Sequence, residues 1–398
     1  MILTILVFLV ILSVLVLIHE LGHFLVAKKL GIKVEEFGFG FPPRLLSFKK
    51  GETIYSINWL PIGGFVKLYG EDEAGGGRVQ SSKLKVKSYD KDRAFFTRSP
   101  WQKALVVVAG VVMNALLAIA IFYVFLFISG FKTELPLISD HKFFGVNQRN
   151  IKEVVVNEIA KNSPAEKAGM TAFIKIVSVN GKGINDSKYF IDIVNEGRGK
   201  KTEIVWKNLK TNKISKAIVV PRLAPPKNEG ALGVSLFSMS SAALEYQTVL
   251  QKTFSGFVHP TNLLFYNFKI IGELVKVSFE RKTIEPVSQG VSGPVGIASI
   301  TSTILQIQNV KEKALQLLNL TGLLSISLAF FNILPIPALD GGRLFFVLIE
   351  AFTGKKVNQR FETTAHKIGL AFLLGLVVLI TFQDLQKLFS GFFSLTNP

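Results

Sequence analysis

From Ile2 to Ala27 the chain is apolar almost throughout, yet it carries His19, Glu20 and His23 in the pattern H-E-x-x-H. The run is long enough to cross a bilayer as a helix, which takes roughly 20 apolar residues. In a helix, positions 19 and 23 project from one face. Two imidazoles at that separation suit one tetrahedral Zn²⁺, and Glu20, one residue on, lies beside the ion as a general base for a water there. Ionisable side chains are costly in hydrocarbon, so three of them in one span mark a functional site. A competing reading has both imidazoles neutral and hydrogen-bonded between helices. It leaves Glu20 unexplained.

The rest of the composition agrees with a membrane protein. Of 398 residues, 49% are hydrophobic and 34 are Phe, and mean hydropathy is +0.40. Net charge is +18. In an apolar chain, that excess of Lys and Arg belongs to cytoplasmic loops; no zinc-finger, RNP or helix-turn-helix pattern points to nucleic acid. The chain has no cysteine, so disulfides and thiolate zinc sites are excluded and any zinc must take His and carboxylate ligands. The N-terminal run lacks a basic n-region and a clean cleavage site, and is read as a retained span.

Four spans are predicted: Ile2–Ala27, Trp101–Phe131, about Ala314–Leu334 and, shortest, Ile368–Phe382. Between the first two, Lys33–Phe48 and Thr53–Leu68 read as strands broken by Pro61 and Gly63-Gly64, with Phe37, Phe39 and Phe41 at period two. Residues 71–98 read as a charged, Gly-bearing loop. Asn114, within the second span, is expected to bond to another helix. Residues 132–314 lack a clear span. Val154–Val156, Ser163–Met170, Ile174–Val179 and Asn180-Gly181 read there as strand, short capped helix, strand and tight turn, closed by Leu223-Ala224-Pro225-Pro226.

No Lys or Arg precedes Lys28, whereas residues 28–100 hold 14. The positive-inside rule therefore puts that loop and the basic 353–366 loop in the cytoplasm, and residues 132–314 outside. His19 lies about 25 Å of helix rise from Ile2, in the cytoplasmic part of the bilayer. The third span runs the same way and ends near Asp340, at the same depth.

A catalytic zinc site needs a third protein ligand and one open position. Asp340 is the candidate, in Asn332-Ile333-Leu334-Pro335-Ile336-Pro337-Ala338-Leu339-Asp340-Gly341-Gly342. Pro335 and Pro337 break the helix, and irregular backbone at membrane depth is tolerated where it lines a cavity. Asp340 could equally cap the helix that resumes at Gly341, and the two roles are compatible.

Four stretches together resemble the site-2 protease family of intramembrane zinc metalloproteases, in its regulator-of-sigma-E-protease branch: His19–His23, Leu60–Lys67, Ser292–Ile297 and Asn332–Gly342. They span nearly the whole chain. The resemblance implies a multi-spanning α-helical membrane protein with about four transmembrane helices and an inserted α+β PDZ domain. The implied divisions are a membrane half at 1–131, a PDZ domain with flanking segment at 132–223, a helical connector at 224–313 and a second membrane half at 314–398. It implies one Zn²⁺ on His19, His23 and Asp340, with Glu20 catalytic. Gly63, Gly64, Asn332, Pro335 and Pro337 would contact substrate, Gly63-Gly64 by offering a strand edge. The implied partners are the lipid bilayer of a bacterial inner membrane, pre-trimmed single-span membrane proteins as substrates, and a peptide or substrate tail at the PDZ domain. Where that domain ordinarily carries Gly-Asp after its short helix, this chain has Phe173-Ile174. Two other classes compete: a proton or ion relay through His19, Glu20 and Asp340, and an inactive PDZ scaffold. Near-stoichiometric zinc would distinguish the protease from the relay, and loss of activity in Glu20→Gln would distinguish it from the scaffold.

Overall fold

Each of the four apolar runs forms a helix in the structure, a computed structural model that describes residues 2–71, 92–209 and 213–389. The charged loop expected over 71–98 falls mostly at 72–91, outside the described residues. Among the described residues, four helices are long and apolar enough to cross a membrane: α1 (Ile2–Lys29), α2 (Pro100–Ile128), α8 (Val310–Ile333) and most of α10 (Gln359–Phe389). α2 begins at a capping box, with the Ser99 and Gln102 side chains each accepting the other's backbone N–H and Pro100 filling the first turn. α1 stops after Lys28 and Lys29, where Gly31 takes φ +71°. α10 extends beyond the span expected at 368–382. Glu362, His366, Lys367, Asp384 and Lys387 dilute its hydropathy, but three of them are buried on polar partners. Asp384 accepts from the N–H groups of Gly293 and Gly296 at 2.9 and 2.8 Å, and Lys387 donates to the Val291 carbonyl at 2.9 Å. His366 Nδ1 accepts from the Ala338 N–H at 2.8 Å.

The chain divides into two compact units, one made of residues up to Ser129 and from Thr253, the other Gly130–Lys252. In the first, α2 packs against α1, α8 and α9 (Asp340–Thr353), and α7 (Pro294–Gln306) packs against α1, α8 and α10. Strands β1 (Val34–Lys50) and β2 (Thr53–Leu68) are each bent, so the pair makes a sheet of four segments. Phe37 lies beside both Val66 and Tyr55, while Phe48 lies on the far side of Tyr55. The edges are thus the segments Gly64–Leu68 and Arg44–Lys50. Glu52, in the turn, accepts from Arg93 and Lys28 and ties the hairpin to the end of α1. These two cations hold its carboxyl down at about 2. Ala27, Ile32, Val34, Leu68, Phe95, Val106 and Val107 form the buried cluster where the sheet meets α1 and α2.

The second unit is one antiparallel sheet in the order β3 (Lys132–Leu137), β9 (Val234–Glu245), β4 (Asn147–Ile159), β5 (Ile174–Val179), β7 (Thr202–Asn208), β8 (Ile214–Val219), with β6 (Lys182–Gly183) on β5. Two helices accompany it: α3 (Pro164–Lys167), capped by Ser163, and α4 (Ser187–Glu196), capped by Asp186. Alternate residues of the strands, Val154, Val156, Ile174, Ile176, Ile204 and Trp206, meet Phe190 and Val194 of α4 in the core. Phe173 holds φ +59°, the left-handed conformation in which a glycine is unstrained. The stretch expected as a helical connector, 224–313, is not all helix. β9 occupies its start because its partners are β3 and β4, roughly a hundred residues earlier. The helices α5 (Val249–Arg281), α6 (Glu285–Gly290) and α7 follow.

Candidate metal centre

α1 carries His19 and His23 one turn apart, and both imidazoles turn toward the first residue of α9. His19 Nε2 lies 2.8 Å from Asp340 Oδ2, His23 Nε2 lies 3.3 Å from the same oxygen, and the two Nε2 atoms are 3.2 Å apart. Among the described residues this is the one cluster of three or more His, Cys, Asp or Glu with converging donor atoms. Zinc bonds of about 2.0–2.1 Å in a tetrahedron place ligand atoms about 3.3 Å apart. The three separations therefore fit one Zn²⁺ held by two nitrogens and an oxygen, the donor set left to a chain without cysteine.

The opposite edges of both rings are held by α2. His23 Nδ1 donates to the Val106 carbonyl at 2.8 Å. His19 Nδ1 lies 3.3 Å from the Asn114 amide, which is fully buried and whose Oδ1 has no partner among the described residues. Oxygen and nitrogen of an amide are assigned from the hydrogen-bond network, and turning this amide over lets Oδ1 accept from Nδ1–H. Both histidines are then Nδ1–H tautomers with Nε2 lone pairs toward Asp340, as metal-binding imidazoles require. Ser325 of α8 donates to the Asn114 carbonyl at 2.8 Å and fixes that part of α2 in turn.

Such close packing needs small residues. A Cβ on Gly110 would lie 2.5 Å from His23 Nε2, and one on Gly22 would lie 2.4 Å from the Ala109 carbonyl. The Asp340 end is similar. Cβ atoms at Gly341 and Gly342 would meet the carbonyls of Leu334 and Ile336 at 2.0 and 2.4 Å, so the Pro335–Leu339 loop folds directly onto the first turn of α9. That helix begins at Asp340 itself. Its cap position is Leu339, which makes no side-chain cap bond, and the Asp340 carboxylate faces the histidines.

Glu20 is half-buried beside the histidines and touches the sheet edge: a Cβ on Gly64 would lie 3.3 Å from Glu20 Cγ. Gly63 holds φ +93°, and the segment Gly64–Leu68 pairs on one side with Val34–Phe39 and with no strand on the other among the described residues. Beyond its end, Glu71 accepts from Arg343 at 3.1 Å, one turn after Asp340, and links this edge to α9. Asn332 is half-buried in the last turn of α8, and Pro335 and Pro337 lie in the loop before Asp340. Sequence reasoning assigned Asn114 a helix-packing bond and overlooked its histidine partner and the closeness of Gly110. The available signal was an amide and a glycine four residues apart in an otherwise apolar span.

The family model of peptidase family M50 matches residues 7–376. The chain belongs to peptidase family M50. It is similar to zinc metalloprotease RasP of Bacillus licheniformis, 30% identical over 466 aligned positions covering 97% of this chain and 99% of that protein. The regulator of sigma-W protease RasP of Bacillus subtilis is 28% identical over 453 positions, with 97% and 99% covered. As a member of M50 the chain is a zinc-dependent metallopeptidase with membrane-spanning helices, and the relay and scaffold readings give way to catalysis.

Proposed function

We propose that this M50 peptidase hydrolyses a peptide bond in or near the transmembrane helix of a single-span membrane protein already trimmed on its outer side. The observation that supports this most strongly is the convergence of His19, His23 and Asp340, reached from within the apolar span α1. His19, His23 and Asp340 would hold the ion, leaving one position open. Zn²⁺ bound there supplies Lewis-acid chemistry, polarising the scissile carbonyl and making water acidic enough to attack near neutral pH. Glu20 takes the proton that the attacking water loses as its oxygen bonds to the carbonyl carbon. It returns that proton to the amine nitrogen as the C–N bond breaks. Asn114 and the Val106 carbonyl keep both imidazoles in the metal-binding tautomer throughout.

A substrate helix hides its carbonyls in its own hydrogen bonds and must unwind first. The edge at Gly64–Leu68 beside Glu20, unpaired among the described residues, supports binding of the unwound segment as an added strand, with Gly63 and Gly64 letting its backbone approach. Asn332, Pro335 and Pro337 border the other end of the site as further substrate contacts. The Gly130–Lys252 unit, with its Ser163-capped helix and antiparallel sheet, supports assignment as a PDZ-like domain. Phe173-Ile174 in place of the usual Gly-Asp favours a size filter over peptide capture. About four spans, with the 28–100 loop cytoplasmic and this domain on the outer face of a bacterial inner membrane, follow from the positive-inside distribution. The test is cleavage of one substrate in full-length and pre-trimmed forms. Wild type should cut only the trimmed form and Glu20→Gln neither; undiminished cleavage by Glu20→Gln would refute the proposal.

A further inference from the structure

Asp340 is reached through the irregular loop between α8 and α9, and that loop has few hydrogen bonds of its own. Pro335 and Pro337 supply no N–H. The N–H groups of Ile336 and Leu339 turn back onto the carbonyls of Leu334 and Ile336 at 2.6 and 3.1 Å. The Ala338 N–H leaves the loop and donates to His366 Nδ1 of α10 at 2.8 Å. Ala338 also holds φ +80°, where a residue bearing a Cβ is strained. Such a conformation persists only when its surroundings over-determine it. α10 supplies two constraints. One is the His366 bond; the other is Gly369, where a Cβ would lie 2.4 Å from the Pro337 carbonyl.

His366 is a poor choice for packing alone. It is 4% exposed, and its Nε2 is buried beside the Phe346 ring with no hydrogen-bond partner among the described residues. A leucine would fill that space without burying an unsatisfied polar atom. What the imidazole adds is a lone pair on Nδ1, aimed at the one loop N–H that nothing else accepts.

We infer that His366 is a positioning residue of the metal centre: through the Ala338 N–H it fixes the loop that presents Asp340, and so makes α10 part of the zinc site. This rests on the reading of Asp340 as a ligand. Removing the acceptor loosens Asp340 and weakens the zinc it helps to hold, as loss of a ligand's supporting hydrogen bond does elsewhere, on the order of 10–100-fold in affinity. Pro335 and Pro337 of the same loop are proposed substrate contacts, so KM rises as kcat falls, and zinc affinity in the absence of substrate is the readout that isolates the metal centre.

The experiment uses the full-length protein in detergent as wild type, His366→Leu, His366→Asn and Asp340→Ala. Zinc affinity is measured by competition with a chromophoric chelator, alongside the melting of the metal-free proteins and the cleavage kinetics. Asn is the conservative variant, because its Oδ1 occupies the place of Nδ1 and accepts the same bond. We expect His366→Leu to lose affinity and kcat, and His366→Asn to stay within about threefold of wild type, with equal metal-free melting for the two. Wild-type affinity in His366→Leu overturns the inference, as does equal impairment of Leu and Asn. Should His366→Leu fail to fold, Gly369→Ala carries the test. It presses on Pro337 with His366 intact and is expected to lose affinity likewise, and wild-type affinity there overturns the inference too. Asp340→Ala separates the two levels. If it keeps its zinc, the ligand reading itself has failed; if it loses zinc while His366→Leu keeps it, only the present inference has failed.

Discussion

Gly110→Ala tests how tightly the metal centre depends on the contact between α1 and α2. The new methyl group would start 2.5 Å from His23 Nε2, 2.7 Å from His23 Cε1 and 2.8 Å from His19 Cε1. Ordinary contact begins near 3.4 Å, so one ring or one helix must retreat by roughly 0.9 Å. The rings have little freedom, because His23 is held on the Val106 carbonyl and His19 on Asn114. The helices have little either, since the Ala109 carbonyl already lies against Gly22. Overpacking of this kind costs about 1–3 kcal/mol in stability. Its effect on catalysis is larger: zinc sites tolerate ligand displacements of about 0.2 Å, and a misplacement of ~1 Å costs on the order of 100-fold in rate. The expected outcome is a folded protein with sub-stoichiometric zinc and cleavage down about 100-fold. Zinc content by elemental analysis and cleavage of a pre-trimmed substrate are the readouts. Gly375→Ala in α10 is the control: its Cβ meets nothing within 4 Å, and it should change neither. Gly110→Ala with full zinc and activity within about threefold of wild type would refute the packing argument.

Asn114→Leu removes the acceptor for His19 Nδ1–H and should weaken zinc by about tenfold, whereas Asn114→Asp keeps an acceptor and should retain it; equal affinities in a chelator competition would count against the tautomer assignment. Glu52 is depressed in the folded state, so its contribution to stability is complete above its ordinary value of 4.5 and is lost as pH falls toward about 2. Wild type should therefore lose melting temperature faster than Glu52→Gln between roughly pH 5 and roughly pH 3, and parallel curves would contradict this. A reporter fused after Lys50 should read cytoplasmic and one fused within 180–220 external, and the reverse pattern would overturn the orientation.

Much of the site was legible because its elements are local. His19, Glu20 and His23 are fixed by the period of a single helix, and the Pro-x-Pro-x-x-Asp-Gly-Gly run announces a broken helix ending in a carboxylate. The first two spans follow from hydropathy. The fourth was read too short, since the residues that dilute its apolar character, His366, Asp384 and Lys387, are the ones that find buried partners on other elements. β9 was missed because its Ser-rich sequence has little strand pattern of its own and acquires its conformation by pairing with β3 and β4. The double bend of β1 and β2, which brings Gly64 to Glu20, depends on a register that alternation of Phe37, Phe39 and Phe41 does not encode. Asn114 and His366 act through one hydrogen bond each across a long stretch of chain, and no local pattern reveals such partners.

The measurement that bears most directly on the whole account is zinc X-ray absorption, with metal content, on purified Glu20→Gln protein incubated with a pre-trimmed substrate. The assignment of Glu20 as base and of His19, His23 and Asp340 as ligands predicts about one zinc per chain, two imidazole nitrogens at about 2.0–2.1 Å with oxygen completing the shell, and intact substrate. Loss of zinc in this variant, a shell with other than two imidazoles, or continued cleavage would contradict it.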